Sequence, residues 1–204
     1  MKTTAFAVIL WLTATAAADN QPIIGATATI DREIAVVERT PIWQSELDEL
    51  LSRAPAQGFS PDQKKQALDS LIDGVLIEHT AKVRQIETSE PELDAAVKEI
   101  EAENHIDDAG LEKALTDQHY TRESYRRELA RQIRAQRVYT QLIAPKVTVT
   151  DAEIDAEWAK RSKDKPTTEQ REQLRQAIWG GKMAQASQEW LAQRRATAHI
   201  EVKP

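Results

Sequence analysis

The sequence has no cysteine, and Met183 is its only methionine beyond Met1. Without thiols there is no disulfide framework, no thiolate nucleophile and no cysteine to acylate at a lipobox, so the fold must rest on packing. A single internal methionine rules out a flexible, methionine-rich binding surface. The four histidines, His79, His105, His119 and His199, have no metal-ligand spacing among them, and none lies in an H-E-x-x-H pattern. No G-x-S-x-G elbow occurs, and Gly180-Gly181 lacks the glycine spacing of a phosphate loop. These absences exclude the common signatures of catalysis, so the expectation is no catalytic residue, no metal and no cofactor. Lysine and arginine are outnumbered, giving a formal net charge of −6, which argues against nucleic acid or an anionic membrane as main partner.

The one markedly apolar run, Ala5 to Thr13 (AFAVILWLT), is too short to span a bilayer. With Lys2 before it and Ala16-Ala17-Ala18 after it, the run reads as a secretory signal peptide cleaved after Ala18, which predicts an exported protein without membrane insertion. Asp19 to Thr29 reads as an irregular lead-in. The rest is long enough to bury about 70% of its unfolded surface as one domain.

The pattern beyond is mainly helical. Ile34 to Val37 reads as a strand and Thr40-Pro41-Ile42 as its return, with Glu38-Arg39 at the turn. Neither residue favours positive φ, which argues against a tight primed turn. A first helix starts near Gln44, with Trp43, Leu47, Leu50 and Leu51 inward. Ser60-Pro61-Asp62-Gln63 is a capping box with proline at the first helical position, opening a helix to about Gln85 that buries Leu68, Leu71, Ile72, Val75, Leu76 and Val83. Ser89-Glu90-Pro91-Glu92 repeats the signal for a third helix with Leu93, Val97 and Ile100. A short fourth helix carries Leu111 and Leu115. A fifth, from Thr121 to Ile143, ends before Pro145. Thr150 caps a sixth with Ile154 and Trp158, and Lys160 to Pro166 is a charged linker without apolar residues.

Thr167 to Val202 closes the chain as one long helix and a short strand. Trp179, Met183, Ala186 and Trp190 form one stripe and Leu174, Ile178, Gly181 and Leu191 a second, which predicts cover on more than one side. His199 to Val202 alternates as an edge strand, for which Ile34 to Val37 is the natural partner.

This ordered set resembles the SurA-type periplasmic chaperones. The phrases IAVVERTPIWQSELDEL, PDQKKQALDSLIDGVLIEHTAKVRQIETSEPELDAAVKEI, TRESYRRELARQIRAQRV and VTVTDAEIDAEW match the family's N-terminal domain, and WLAQRRATAHIEV resembles its closing helix and strand. The resemblance covers residues 30–160 and 167–204. It implies a multi-helix chaperone core closed by a long C-terminal helix, with a β-ribbon pairing the N- and C-terminal strands. SurA and its PrsA-like relatives usually carry one or more parvulin prolyl-isomerase domains between the sixth helix and the closing helix. Here residues 161–166 occupy that place, far short of the roughly 50 residues of a small domain. Glu38-Arg39 also departs from the Asn-Gly-like turn common in the family.

The implied function is that of an ATP-independent holdase, binding unfolded or nascent exported polypeptides such as outer-membrane β-barrel proteins through an apolar cradle. Candidate lining residues are Ile106, Leu111, Leu115, Tyr120, Tyr125 and Trp158, which lie on short helices or near helix ends; ordinary core packing is the competing role for each. Two other readings stay open: an interaction subunit dedicated to one exported partner, and a prolyl cis-trans isomerase family member. Arg122, Arg126, Arg127, Arg131, Arg134 and Arg137 make a basic run on the fifth helix, expected to pair with acidic residues such as Glu92, Glu99 and Glu103, or else to attract acidic clients.

Overall fold

The computed structural model describes residues 31–52, 59–118, 120–162 and 164–203. The expected signal peptide, the lead-in and His119 lie outside the described residues. Within them the elements run β1 (Glu33–Val37), β2 (Thr40–Trp43), α1 (Gln44–Ser52), α2 (Pro61–Val83), α3 (Glu90–Glu103), α4 (Asp108–Asp117) and α5 (Arg122–Leu142). A 3-10 turn (Ala144–Lys146), α6 (Asp151–Ala159), α7 (Thr168–Thr197) and β3 (Ile200–Val202) follow. The mainly helical class, the long closing helix and the small ribbon all match expectation.

The helix starts follow from local chemistry. Ser60 Oγ accepts the Gln63 N–H at 3.3 Å, while the Ser60 N–H donates to Gln63 Oε1 at 2.9 Å. The pairs Thr150/Glu153 and Thr167/Gln170 repeat this exchange at α6 and α7, and each such cap is worth about 1 kcal/mol. The stops are less obvious. α2 and α3 both end in Schellman turns, with Ile86 N–H donating to Ala81 O at 2.9 Å and Ile106 N–H to Glu101 O at 3.0 Å. The left-handed positions are filled not by glycine but by Gln85 (φ 57°) and His105 (φ 55°). Backbone strain there costs about 1 kcal/mol per residue, and in return Ile86 and Ile106 are turned toward the core.

The sheet has the order β2-β1-β3, and both pairings are antiparallel. Ala35 pairs with Ile42 on one side and Val202 on the other, so the expected partnership of the first and last strands is present. The hairpin turn corrects the sequence reading. Val37 faces Thr40 directly across Glu38-Arg39, and both turn residues take positive φ (48° and 66°), so a tight two-residue turn forms despite unfavourable side chains. Core-facing Val37 and Ile42 and the added pairing with β3 hold the register, and tertiary packing outweighs local preference.

Three hydrophobic clusters follow the chain. The first joins the sheet, α1 and the front of α2 through Ile34, Val37, Ile42, Leu47, Leu51, Ile72 and Leu76. The second joins the back of α2, the end of α5 and the C-terminal half of α7 through Ile77, Ala81, Val138, Ile143 and Trp190. The third joins α3, α4 and the front of α5. Trp43 and Val83, expected inward, are exposed, because Trp43 ends an edge strand and Val83 lies on the last turn of α2.

α7 also departs from expectation. Leu174 and Trp190 are its only fully buried residues, and Trp179 is 43% exposed. α6 packs on the front of α7, whereas its back half joins α2 and α5 in the second cluster, so the helix is covered along one stripe through Leu174, Ile178, Met183, Ala186 and Trp190 rather than along two.

Candidate functional site

The third cluster gathers five of the six sequence candidates. Leu111 and Leu115 are buried beside Leu93, Val97, Leu129 and Ala130, and half-buried Ile106, Tyr120 and Tyr125 pack around them with Ile100 and Ile133. Trp158 lies apart on α6. Its indole Nε1 donates to Asp164 O at 2.6 Å, pinning the linker back onto the end of that helix.

The lobe is built from short-range signals. Asp107 caps α4 by accepting the Gly110 N–H at 2.8 Å. A Cβ on Gly110 would lie 3.1 Å from Ile106 Cβ, so glycine lets this first turn sit directly on the isoleucine. The Tyr120 N–H donates to Leu115 O at 2.8 Å and closes the other end of α4.

Arginines on α5 then clasp the lobe. Arg126 bridges Glu90 and Asp94 of α3 at 2.5 and 2.7 Å, Arg122 pairs with Asp108 of α4, and Arg137 reaches Glu92 at 2.6 Å and the Glu87 carbonyl. Arg134 turns to Glu78 of α2 at 2.8 Å, and Arg127 and Arg131 pair along α5 itself with Glu123 and Glu128. The run is therefore internally matched: Glu92 is a partner as expected, while Arg126 takes Glu90 and Asp94, one helical turn apart, in place of Glu99 or Glu103. Cations already held in ion pairs are poorly suited to recruiting acidic clients. The Ser89 backbone N–H and then Arg137 hold the Glu92 carboxyl down at about 2. Burial, then Glu101, raises the Tyr125 phenol, whose buried oxygen has no hydrogen-bond partner among the described residues.

Two shallow clefts flank the extended segment between the 3-10 turn and α6. One, of about 210 Å³, lies between Lys146, Val147 and Thr148 and the α7 residues Lys182, Gln185 and Glu189. The other, of about 260 Å³, is lined by Val149, Glu172, Arg175, Gln176 and the exposed face of Trp179. Sequence reasoning missed this second cleft by assigning Trp179 to a covered stripe. The signal available was Gly180-Gly181 next to it, since a glycine pair brings no side chains for a covering layer to pack against. Among the described residues no group of three or more metal-ligating side chains converges, and no helix is long and apolar enough to cross a membrane.

Comparison with known proteins defines the class. The SurA-like N-terminal domain family matches residues 1–139, and the chain belongs to that family. It is 29% identical over 154 residues to a chaperone SurA of Nitrosospira multiformis, covering 72% of this chain and 35% of that protein. Against the chaperone SurA of Legionella pneumophila (strain Lens) it is 27% identical over 134 residues, covering 62% and 31%. The chain thus spans about a third of the length of these relatives. The fold also matches a structure from work describing the virulence factor PEB4 and the periplasmic protein Cj1289 of Campylobacter jejuni as two structurally related SurA-like chaperones. That match has a TM-score of 0.64 at 13% identity and covers 84% of this chain and 98% of the other.

Proposed function

We propose that this chain is an ATP-independent periplasmic holdase, binding unfolded exported proteins without catalysing a reaction on them. Membership of the SurA-like N-terminal family carries the reading. The α3–α5 lobe supplies a surface suited to it: Ile106, Tyr120 and Tyr125 lie half-buried at its margin over Leu111 and Leu115. Unfolded β-barrel strands expose alternating apolar and aromatic side chains and aggregate through unpaired edges. At about 25 cal/mol per Å², a contact of a few hundred Å² leaves only modest affinity after the cost of association, so release needs no nucleotide. Leu111 and Leu115 meet a client only when α4 lifts from α5, whereas the half-buried residues meet it directly. Residues 161–166 stand where the resemblance to the family leads one to expect a parvulin domain, which supports reading the chain as a holding core rather than an isomerase.

The second reading, a subunit dedicated to one exported partner, is favoured by the cleft at Trp179, a small apolar patch rimmed by Glu172, Arg175 and Gln176. Light scattering separates the two. A denatured outer-membrane β-barrel protein is diluted from urea with and without the chain from Asp19 to Pro204, in the absence of nucleotide. Suppressed scattering at near-stoichiometric ratios is the expected result. Unchanged scattering from a chain shown to be folded by circular dichroism would remove the holdase reading in favour of the dedicated partner.

A further inference from the structure

We propose that Gly180-Gly181 is a hinge on which an arm, formed by α6 and the front half of α7, swings relative to the rest of the fold. Two packed zones meet at this point. In front of it, α6 packs on α7, with Ile154 and Leu174 as the buried residues of the two helices. Behind it, Met183, Ala186, Trp190 and Leu191 join the second cluster, and Arg195 bonds Asp69 and Asp73 of α2 at 2.8 and 2.6 Å. Between the zones one face of the helix is bare, since Trp179 is exposed and a Cβ on either glycine would meet nothing within 4 Å, while half-buried Ile178 and Met183 carry the covered face across. Neither glycine is therefore required for close packing, and both sit inside a helix, where glycine is among the least favourable residues.

The chain crosses between the zones a second time at residues 147–150, which form no helix or strand. That crossing is loosely seated, because the two clefts of about 210 and 260 Å³ lie along it against α7. Two polar contacts tie it down, Lys182 bonding the Thr148 carbonyl at 2.7 Å and Arg175 the Val149 carbonyl at 3.4 Å, and Lys182 also reaches the Glu153 carboxylate of α6. A bare glycine pair in one crossing and an extended segment in the other allow rotation about a common point, with Lys182 as its latch. The swing widens one cleft as it narrows the other.

The hinge is independent of client binding, and its test contains no client. Because the native chain lacks cysteine, spin labels can be placed at will. Gln173→Cys with Gln141→Cys reports arm to body, and Gln193→Cys with Gln141→Cys reports two points behind the hinge. Pulsed electron resonance is expected to give a distance distribution about twofold broader for the first pair than for the second. Gly180→Ala with Gly181→Ala, which has free space for both methyl groups, narrows the first pair and leaves the second unchanged. Lys182→Met broadens the first further. Equal widths for the two pairs in the native chain, or a width for the first pair that the double alanine leaves unchanged, would overturn the hinge. An unchanged width in Lys182→Met would overturn the latch.

Discussion

The two halves of α7 use the same side-chain alphabet and meet different fates. Each has one fully buried large residue, Leu174 in front and Trp190 behind. Trp190 meets the Tyr139 ring edge-on at a centroid distance of 6.3 Å and lies under the Arg194 guanidinium at 5.6 Å, in a cluster fed by α2 and α5. Leu174 belongs to the half that packs on α6. Arginines repeat the contrast: Arg195 grips two aspartates and the Asp69 carbonyl of α2, whereas Arg171 and Arg175 grip Asp151 and Asp155 within the arm. One continuous helix therefore belongs to two cooperative neighbourhoods, and its stability at any residue is set by what covers it.

The largest test sets Trp190→Ala against Leu174→Ala. Truncating Trp190 opens a cavity shared by three helices and is expected to cost about 3–5 kcal/mol, read as a lower urea midpoint. Leu174→Ala removes about 2–3 kcal/mol of packing, but the loss should appear chiefly as faster amide exchange in α6 and residues 168–178, with a smaller shift of the global midpoint. Equal midpoint shifts for the two variants would make the arm part of the main cooperative unit and erase the contrast.

A smaller effect is expected at the hairpin. Arg39→Gly relieves a left-handed residue whose main chain is already in place and should raise stability by about 1 kcal/mol in the same urea experiment. No gain would mean that the Arg39 side chain offsets its own strain.

The smallest effect is acid sensitivity, which sharpens the comparison between lobe and arm. Glu92 in the lobe and Glu153 in the arm both lie at about 2, against an ordinary 4.5. Their folded values are depressed, so each contributes stability above about 4.5, and that contribution is lost as pH falls toward 2. Both carboxylates are exposed and solvent-screened, so the losses are modest. Amide exchange across this range should loosen the start of α3 in the native chain, and Glu92→Gln should remove that dependence there while leaving the start of α6 unaffected. A start of α3 that loosens with acid as much in Glu92→Gln as in the native chain would assign the effect to other groups.

The helix starts were readable in sequence because a capping box is complete within four residues: Ser60 and Gln63, or Thr167 and Gln170, find each other whatever the remaining chain does. Apolar spacing likewise placed Leu93, Val97, Leu111 and Leu115 on inward faces, and five of the six cradle candidates prove to be neighbours in one lobe. Trp158 was not legible as a linker anchor, because its partner is a backbone carbonyl at Asp164, and carbonyls leave no mark on a sequence. The left-handed residues Glu38, Arg39, Gln85 and His105 were missed for a related reason. Glycine would have announced them, but these turns are imposed by the core residues on either side. The exposure of Trp179 depends on what fails to cover it, which is a property of distant helices and not of its own stripe.

The central position of β1 sets a timetable. Its hairpin partner β2 follows after two residues, but its other partner, β3, comes only after helices α1 to α7. During synthesis from the N-terminus, β1 has one edge satisfied at once and the other open until Ile200 to Val202 emerge. A newly made copy thus displays an unpaired strand edge for as long as the intervening helices take to be made, and it becomes safe from its own kind only when β3 arrives.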